Sequence, residues 1–355
     1  MLTDDIKKED NEFLFLLEQE ISRNLENNYV DNFDIDRFGE LSRVAVDYEE
    51  KLASYYSYFR ALNDLYGLLK DSFSKSLLIK IIAFRILGCR KFKLPLSATK
   101  YWDTREKIKQ LADKNKFIPV DFMNWKLYLF DLNAVGFPIV LYSHPICVHA
   151  EFMLRQYEYF VGRNEIKAES EDVVIDAGGC WGDSALYFAN EGGAGGKVYT
   201  FEFVHDNLVV LEKNMDLNPE LKNRIQIVKN PLWDVSGKNV TYLNNGPGSA
   251  IDVCQTIGNV ADLTISVDDF VKNNKLSKVN FVKMDIEGAE LNVLKGAVNT
   301  MAQFRPKLAI SLYHRIEDFI EIPAFLHSLR LGYEFYLGHY TTHSEETVLF
   351  AKSRS

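Results

Sequence analysis

The sequence predicts an open α/β sheet covered by helices on both faces and preceded by a mainly helical N-terminal domain. Three observations carry this. From about Val173 onward, short apolar runs alternate with helical patterns, the order that builds a parallel sheet. The first of those runs opens into the glycine-rich stretch Asp176-Ala177-Gly178-Gly179-Cys180-Trp181-Gly182-Asp183. Upstream of about residue 115, apolar residues recur at three- and four-residue steps, the period of a helix face. A chain of 355 residues has room for one large domain and a smaller one. The boundaries read as a helical N-terminal domain over 1–115, a connecting region of β-hairpin and helix over 116–160, and the α/β domain over 161–355.

Phe13, Leu14, Leu17, Ile21 and Leu25 form the apolar face of a first helix. Val44, Tyr48, Leu52, Tyr55, Phe59, Leu62, Tyr66 and Leu69 mark a second, long one. A third covers Ser76 to Leu87. Its apolar stretch is short and carries Lys80 and Arg85, well under the ~20 residues of a bilayer span, so it is expected to be a buried helix. A fourth covers Lys100 to Lys114, with Ser97 as its cap. These faces are expected to pack on one another, a homo-oligomer interface or a lid being the other uses open to them. Lys126–Leu132 and Phe137–Tyr142 flank a glycine-containing turn and read as a hairpin, and Phe152–Phe160 returns to a helical pattern.

In the α/β region, strands are expected at Val173–Asp176, Lys197–Glu202, Ile225–Val228, Asn280–Asp285, Leu308–Tyr313, Tyr333–Leu337 and Thr347–Ala351. Extra strands are expected at Val240–Leu243 and Leu263–Val267. Helices fall after the glycine stretch through Ala189, and over His205–Leu217, Glu290–Met301 and Ile316–Leu331.

A net charge of −9 argues against a nucleic-acid backbone as partner, since binding phosphate needs a basic surface. Cys89, Cys147, Cys180 and Cys254 are far apart and form neither a disulfide framework nor a zinc knuckle, which fits free thiols in a reducing cytoplasm. The acidic start Met1-Leu2-Thr3-Asp4-Asp5 lacks the basic-then-apolar order of a signal peptide. The expectation is a cytoplasmic protein with no membrane span.

Parallel sheets bind ligands at the carboxyl ends of their strands, so candidate chemistry is sought there. Glycines at 178, 179 and 182 let the backbone turn sharply and approach a ligand, and the following helix offers unpaired N–H groups. The strict Gly-x-Gly-x-x-Gly dinucleotide fingerprint is absent. Glu202, followed by Phe203, ends the next strand. A carboxylate at that distance from a glycine loop suits the two hydroxyls of a ribose. Asn230-Pro231-Leu232-Trp233-Asp234 either faces an adenine edge, with Leu232 or Trp233 against the ring, or is a plain turn. Lys283-Met284-Asp285-Ile286-Glu287-Gly288-Ala289-Glu290 brings acidic residues to a further strand end. Asn244-Asn245-Gly246-Pro247-Gly248-Ser249-Ala250 reads as a surface turn, with an acceptor-pocket wall as the alternative.

Val173–Asp183, Val282–Glu290, Ala309–Asp318, and Leu337–Tyr340 with Glu346–Ala351 together resemble the FkbM family of methyltransferases, over roughly residues 150 to 355. Asp285-x-Glu287-Gly288-Ala289-Glu290 with Tyr313-His314 is the more specific part. The glycine loop alone is shared with class I methyltransferases at large. The resemblance implies a seven-stranded Rossmann-like sheet with an antiparallel last strand. It implies S-adenosylmethionine as cofactor, and a hydroxyl, often on a sugar, glycan or natural product, as acceptor. Asp176, Gly178, Gly179, Trp181, Glu202, Phe203, Trp233, Asp234 and Asp285 are the expected cofactor-binding residues. Residues 1–115 resemble nothing in that family.

A hydroxyl is a poor nucleophile, so a base or orienting group is expected. His314 and His339 each follow a strand and titrate near neutrality; His314 is the first candidate, Asp285 the second, with His339 and Glu287 behind them. Asp285, Glu287, His314 and His339 could converge on a divalent metal, but no compact ligand spacing is present, so a metal is not favoured. His144 and His149, which flank Cys147, are expected to be structural. A nicotinamide-dependent oxidoreductase is disfavoured by the loop spacing. A non-catalytic scaffold working through the helical domain is the remaining alternative.

Overall fold

The computed structural model describes residues 12–30, 32, 34, 46–242, 244–252, 259–260 and 263–354. The expectations at Val44, Leu243 and Cys254 lie outside the described residues.

After the N-terminal helices, the chain forms a three-stranded antiparallel sheet of β1 (Asp113–Pro119), β2 (Lys126–Asp131) and β3 (Val140–Ser143). A short hairpin follows, β4 (Tyr159–Val161) with β5 (Asn164–Ile166). The main strands are then β6 (Val173–Ala177), β7 (Lys197–Phe201) and β8 (Ile225–Val228). Three two-residue strands interrupt them: β9 (Thr241–Tyr242), β10 (Ile251–Asp252) and β11 (Asn259–Val260). The sheet is completed by β12 (Phe281–Met284), β13 (Lys307–Ser311), β14 (Tyr333–His339) and β15 (Thr347–Ser353).

Its order is β14-β15-β13-β12-β6-β7-β8. All neighbours are parallel except around β15, which runs antiparallel to both β13 and β14. This is the seven-stranded sheet with an antiparallel last strand that the resemblance implies. The chain leaves β6 toward β7 and β8 and returns to β12 on the other side. The order therefore reverses between β6 and β12, and a crevice opens at their carboxyl ends.

Alternation along the strands divides the core between the two faces of the sheet. Ile175, Val282, Leu349 and Ala351 join a core shared with the N-terminal helices. Val174, Phe281, Val348 and Phe350 join one shared with the connecting region. The N-terminal helices are sealed to the sheet: the helix Glu12–Asn24 buries Phe13, Leu14, Leu17 and Ile21, and Leu69 pairs with Phe335 of β14, Lys70 N–H donating to the Phe335 carbonyl at 2.9 Å. That pairing covers part of a sheet edge which would otherwise offer unpaired backbone groups.

β3 is held to the helix His205–Asp216 and the turn after it by two asparagines that imitate a neighbouring strand. Asn214 accepts from Tyr142 N–H at 2.7 Å and donates to its carbonyl at 2.9 Å, and Asn218 does the same at Val140. The connection between β1 and β2 and the segment after β3 are thereby brought to the crevice.

Several local expectations are corrected. The long second helix is two, Tyr48–Tyr55 and Phe59–Leu68, joined by a 3₁₀ turn that brings the Tyr58 hydroxyl to Glu317 at 2.6 Å. Ser97 is not a cap: the fourth helix starts at Thr99, and the Ser97 hydroxyl is turned to Asn32. That helix ends at Leu111, and Asp113 already begins β1. Phe152–Phe160 is not a helix. A π turn spans His149–Met153, Arg155 takes a positive φ of 52° that ends helical geometry, and Tyr159 packs its ring on Tyr336 and Phe350 as part of β4.

Leu263–Val267 contributes only a single bridge, Ile265 to Leu232. Ser266 then caps an unanticipated helix, Val267–Asn273, accepting from Asp269 N–H at 3.1 Å. The Ser-x-x-Asp spacing was its signal in the sequence. The helix expected over Glu290–Met301 divides into Glu290–Lys295 and Val298–Phe304 around Gly296. A side chain there would lie 2.5 Å from the Trp233 carbonyl. Among the described residues Cys89, Cys147 and Cys180 form no disulfide, and no helix is long and apolar enough to cross a membrane.

Candidate active site

At the end of β6 the chain turns on Gly178, with φ of +88°, and Gly182, with φ of +87°, the latter opening the helix Asp183–Glu191. Gly178 is pressed against the end of β12: a Cβ built on it would lie 2.0 Å from the Asp285 carbonyl oxygen. A Cβ on Gly179 would lie 2.1 Å from Thr200 Oγ1. The loop is glycine because two strand ends close on it.

Asp176 lies beneath this loop, fully buried. It accepts from Ser184 Oγ at 3.1 and 3.0 Å and from Thr200 Oγ1 at 2.8 Å, and it pairs with Lys283 Nζ at 3.2 Å. Lys283 also donates to the carbonyls of Gly178 at 2.6 Å and Ala177 at 3.2 Å. Burial pulls its pKa down, but Asp176, Asp285 and Glu151 outweigh that and raise it. Asp176 and Lys283 thus brace the loop from inside the sheet.

Two adjoining cavities open above the loop and share Gly178, Cys180, Pro247, Asp285 and Glu287 in their walls. The smaller, of about 60 Å³, is walled by Glu202, Phe203, Leu232 and Ile286 among others. Glu202 is buried, with Oε1 accepting from the N–H groups of Phe203 at 2.8 Å and Val204 at 2.7 Å, and Oε2 from Asn207 at 3.3 Å. Burial raises its pKa to about 7, in spite of those donors. Leu232, not Trp233, faces this cavity. Trp233 is buried without lining either space, and Asp234 pairs with Lys238 at 3.1 Å.

The larger cavity, of about 550 Å³, lies between the glycine loop, the β1–β2 connection, the segment after β3 and the ends of β12 and β13. Trp181, buried, and Trp125 form an aromatic wall, and Trp125 stacks on His144 at 3.8 Å. His149 is buried against the Tyr101 ring, where burial lowers its pKa to about 4. Pro247 and Gly248 line the cavity, so the loop read as a surface turn also walls the crevice.

Asp285 stands where the two cavities meet. Its carboxylate accepts from the hydroxyls of Tyr313 at 2.9 Å and Tyr157 at 3.1 Å. His314 Nε2 is 3.4 Å from Asp285 and 3.5 Å from Glu287, and its Nδ1 is 3.2 Å from Glu290. Burial works against a charged imidazole here. The carboxylates of Asp285, Glu287 and Glu290 reverse that and raise the His314 pKa far above its ordinary value. Burial likewise opposes ionised Asp285, yet His314, Lys283 and Tyr313 hold its pKa well down.

His339 is not brought to this cluster. It is the last residue of β14, buried, with Nδ1 2.9 Å from Thr347 Oγ1, and burial followed by the nearby Arg85 lowers its pKa to about 3. Glu151 lines the larger cavity from the π turn. Burial, reinforced by Asp183, raises its pKa well above the carboxylate range, and its Oε1 has no hydrogen-bond partner. Sequence reading passed over Glu151, Tyr157 and the role of Lys283. Only Lys283 had a signal, a lysine inside the otherwise apolar run of β12.

Residues 169–335 match the family described as Methyltransferase FkbM domain. The hexuronic acid methyltransferase AglP of Haloferax volcanii is 30% identical over 136 residues, 38% of this chain and 54% of that protein. The chain thus spans about half the length of that relative. Methyltransferase FkbM from Methylobacillus flagellatus KT aligns in structure with a TM-score of 0.51 at 20% identity, over 84% of this chain and 60% of that one. At that identity the likeness concerns the fold.

Proposed function

Since residues 169–335 match the Methyltransferase FkbM domain, we propose that the chain methylates a hydroxyl on a sugar, glycan or related natural product, with S-adenosylmethionine as donor. The observation that carries the reading is Glu202. Its buried carboxylate walls the small cavity beside a loop that tolerates no Cβ, at the point where the strand order reverses. These residues fit a nucleoside: the carboxylate for ribose hydroxyls, Leu232 and Ile286 for a base. The carboxylates of Asp285 and Glu287 at the larger cavity suit a cationic group. The AglP match supports a sugar acceptor.

S-adenosylmethionine supplies a methyl group made electrophilic by its sulfonium. The chain's part is alignment and exclusion of water, which can contribute several kcal/mol. Tyr157 and Tyr313 fix the Asp285 carboxylate. Asp285, backed by His314, is the group that orients the acceptor hydroxyl and receives its hydrogen bond. Trp125 and Trp181 close the cavity against solvent.

The test is calorimetric titration with S-adenosylhomocysteine. Glu202→Ala is expected to weaken binding by at least about ten-fold, the cost of hydrogen bonds to a charged acceptor. Unchanged affinity in a folded variant removes Glu202 from the cofactor site. A pH series gives a second expectation. The ionised carboxylate is the better ribose acceptor, and its pKa is raised to about 7 by burial. Affinity should therefore fall as pH drops through 7, by about ten-fold between pH 8 and pH 6 on one-proton linkage. A flat profile, or the same slope in Glu202→Gln, would count against this.

A further inference from the structure

The wall of the larger cavity joins Asp285 and Glu287 to His314, an imidazole that cofactor binding does not use. Asp285, Glu287 and His314 each present one donor atom, all within 4.8 Å of one another. The His314 side chain is only 7% exposed, and neither ring nitrogen makes a hydrogen bond of ordinary geometry, although it sits among three carboxylates. A buried imidazole in that condition has unspent binding capacity. Its two nitrogens also face different surroundings. Nδ1 points at Glu290, whose Oε1 is fixed by Ile286 N–H at 2.8 Å, while Nε2 points at Asp285 and Glu287 on the cavity side.

We propose that Asp285, Glu287 and His314 Nε2 bind a divalent cation of the Mg²⁺ or Mn²⁺ class at the cavity wall. Carboxylate oxygens suit hard cations and imidazole is a common ligand of Mn²⁺ and its neighbours. Glu290 supplies the carboxylate that metal-bound histidines usually hold with their second nitrogen. The charge balance agrees: three carboxylates converge on one ring, and a dication that takes the place of the Nε2 proton offsets two of their three charges where an imidazolium offsets one. A second trio, Glu290, His314 and Asp318, is less suited, because both Asp318 oxygens are engaged by Arg315, at 2.7 and 2.9 Å. A cation at the first site borders the cavity, where its open positions take water or the acceptor hydroxyl. A hydroxyl bound there would lose its proton more readily.

The probe is Mn²⁺ alone, added to chelator-treated full-length protein and followed by loss of the free-ion electron paramagnetic resonance signal. The expected result is one ion bound per chain, with affinity lowered at least about ten-fold in Glu287→Gln and in His314→Ala. Glu287→Gln preserves shape at a partly exposed position, and circular dichroism checks both variants. A folded wild type that leaves millimolar Mn²⁺ free overturns the proposal, as does wild-type affinity in both variants. Titration with S-adenosylhomocysteine keeps the two readings apart. Mn²⁺ bound without it sustains the metal site while the cofactor reading falls, and the reverse result overturns the metal site alone.

Discussion

Lys283→Met is expected to destabilise the fold by about 3–5 kcal/mol, the cost of leaving one partner of a buried ion pair alone. Lys283 and Asp176 face each other on adjacent parallel strands, β12 and β6, with side chains 2% and 0% exposed. Without the ammonium, the carboxylate keeps only the hydroxyls of Ser184 and Thr200, and the carbonyls of Ala177 and Gly178 lose a donor. Chemical denaturation gives the value directly. The double variant Asp176→Asn with Lys283→Met should recover part of the loss, because no buried charge is then unpaired. A single variant within about 1 kcal/mol of wild type, in the range of an exposed pair, would mean that the ion pair does not brace the loop. The pKa of Lys283 is raised in the folded protein. Its contribution is therefore complete below the ordinary lysine range and is lost only as pH rises through the folded value.

Gly178→Ala is expected to abolish measurable S-adenosylhomocysteine binding and to cost about 2–4 kcal/mol of stability, combining left-handed backbone strain with a steric overlap. The added carbon would lie 2.0 Å from the Asp285 carbonyl oxygen and 3.2 Å from Ile286 Cγ2, so the ends of β6 and β12 must separate. Those strand ends are joined there by Asp285 N–H donating to Ala177 at 3.1 Å. Gly193→Ala is the control. It shares a positive φ, +61°, but meets nothing nearer than Ser170 Oγ at 3.5 Å. About 1 kcal/mol is expected there, with unchanged binding. Equal behaviour of the two variants would show that the overlap at Gly178 has no bearing on the site.

The parts of the candidate site legible in the sequence were those with a local cause. A glycine loop after an apolar strand, a glutamate ending the next strand and an acidic motif ending a third each follow from one segment and one geometric rule. Glu202, Gly178 and Asp285 accordingly line the smaller cavity. The same reading went astray where side-chain direction mattered. Asp176 belongs to the loop motif but points beneath it, into Ser184, Thr200 and Lys283. His339 ends its strand as His314 follows its own, yet it packs against Thr347 on the neighbouring strand. In the connecting region, the aromatic and apolar residues around Tyr159 fit helix and strand periods alike, and packing on Tyr336 and Phe350 decided for strand.

By itself, the sequence determined the order along the chain of the seven strands of the main sheet, the family resemblance, and the strand ends at which chemistry can occur. Periodicity and glycine placement act within a few residues of themselves, so one chain is enough to read them. Only the tertiary structure decided what gathers at those ends. Tyr157 reaches Asp285 across 128 positions of sequence, and Lys283 reaches the Gly178 carbonyl across 105. The N-terminal helices, where the sequence offered no resemblance, share a core with one face of the sheet. Such contacts depend on how strands are ordered and which face each side chain takes, and those are settled by burial of the whole chain together.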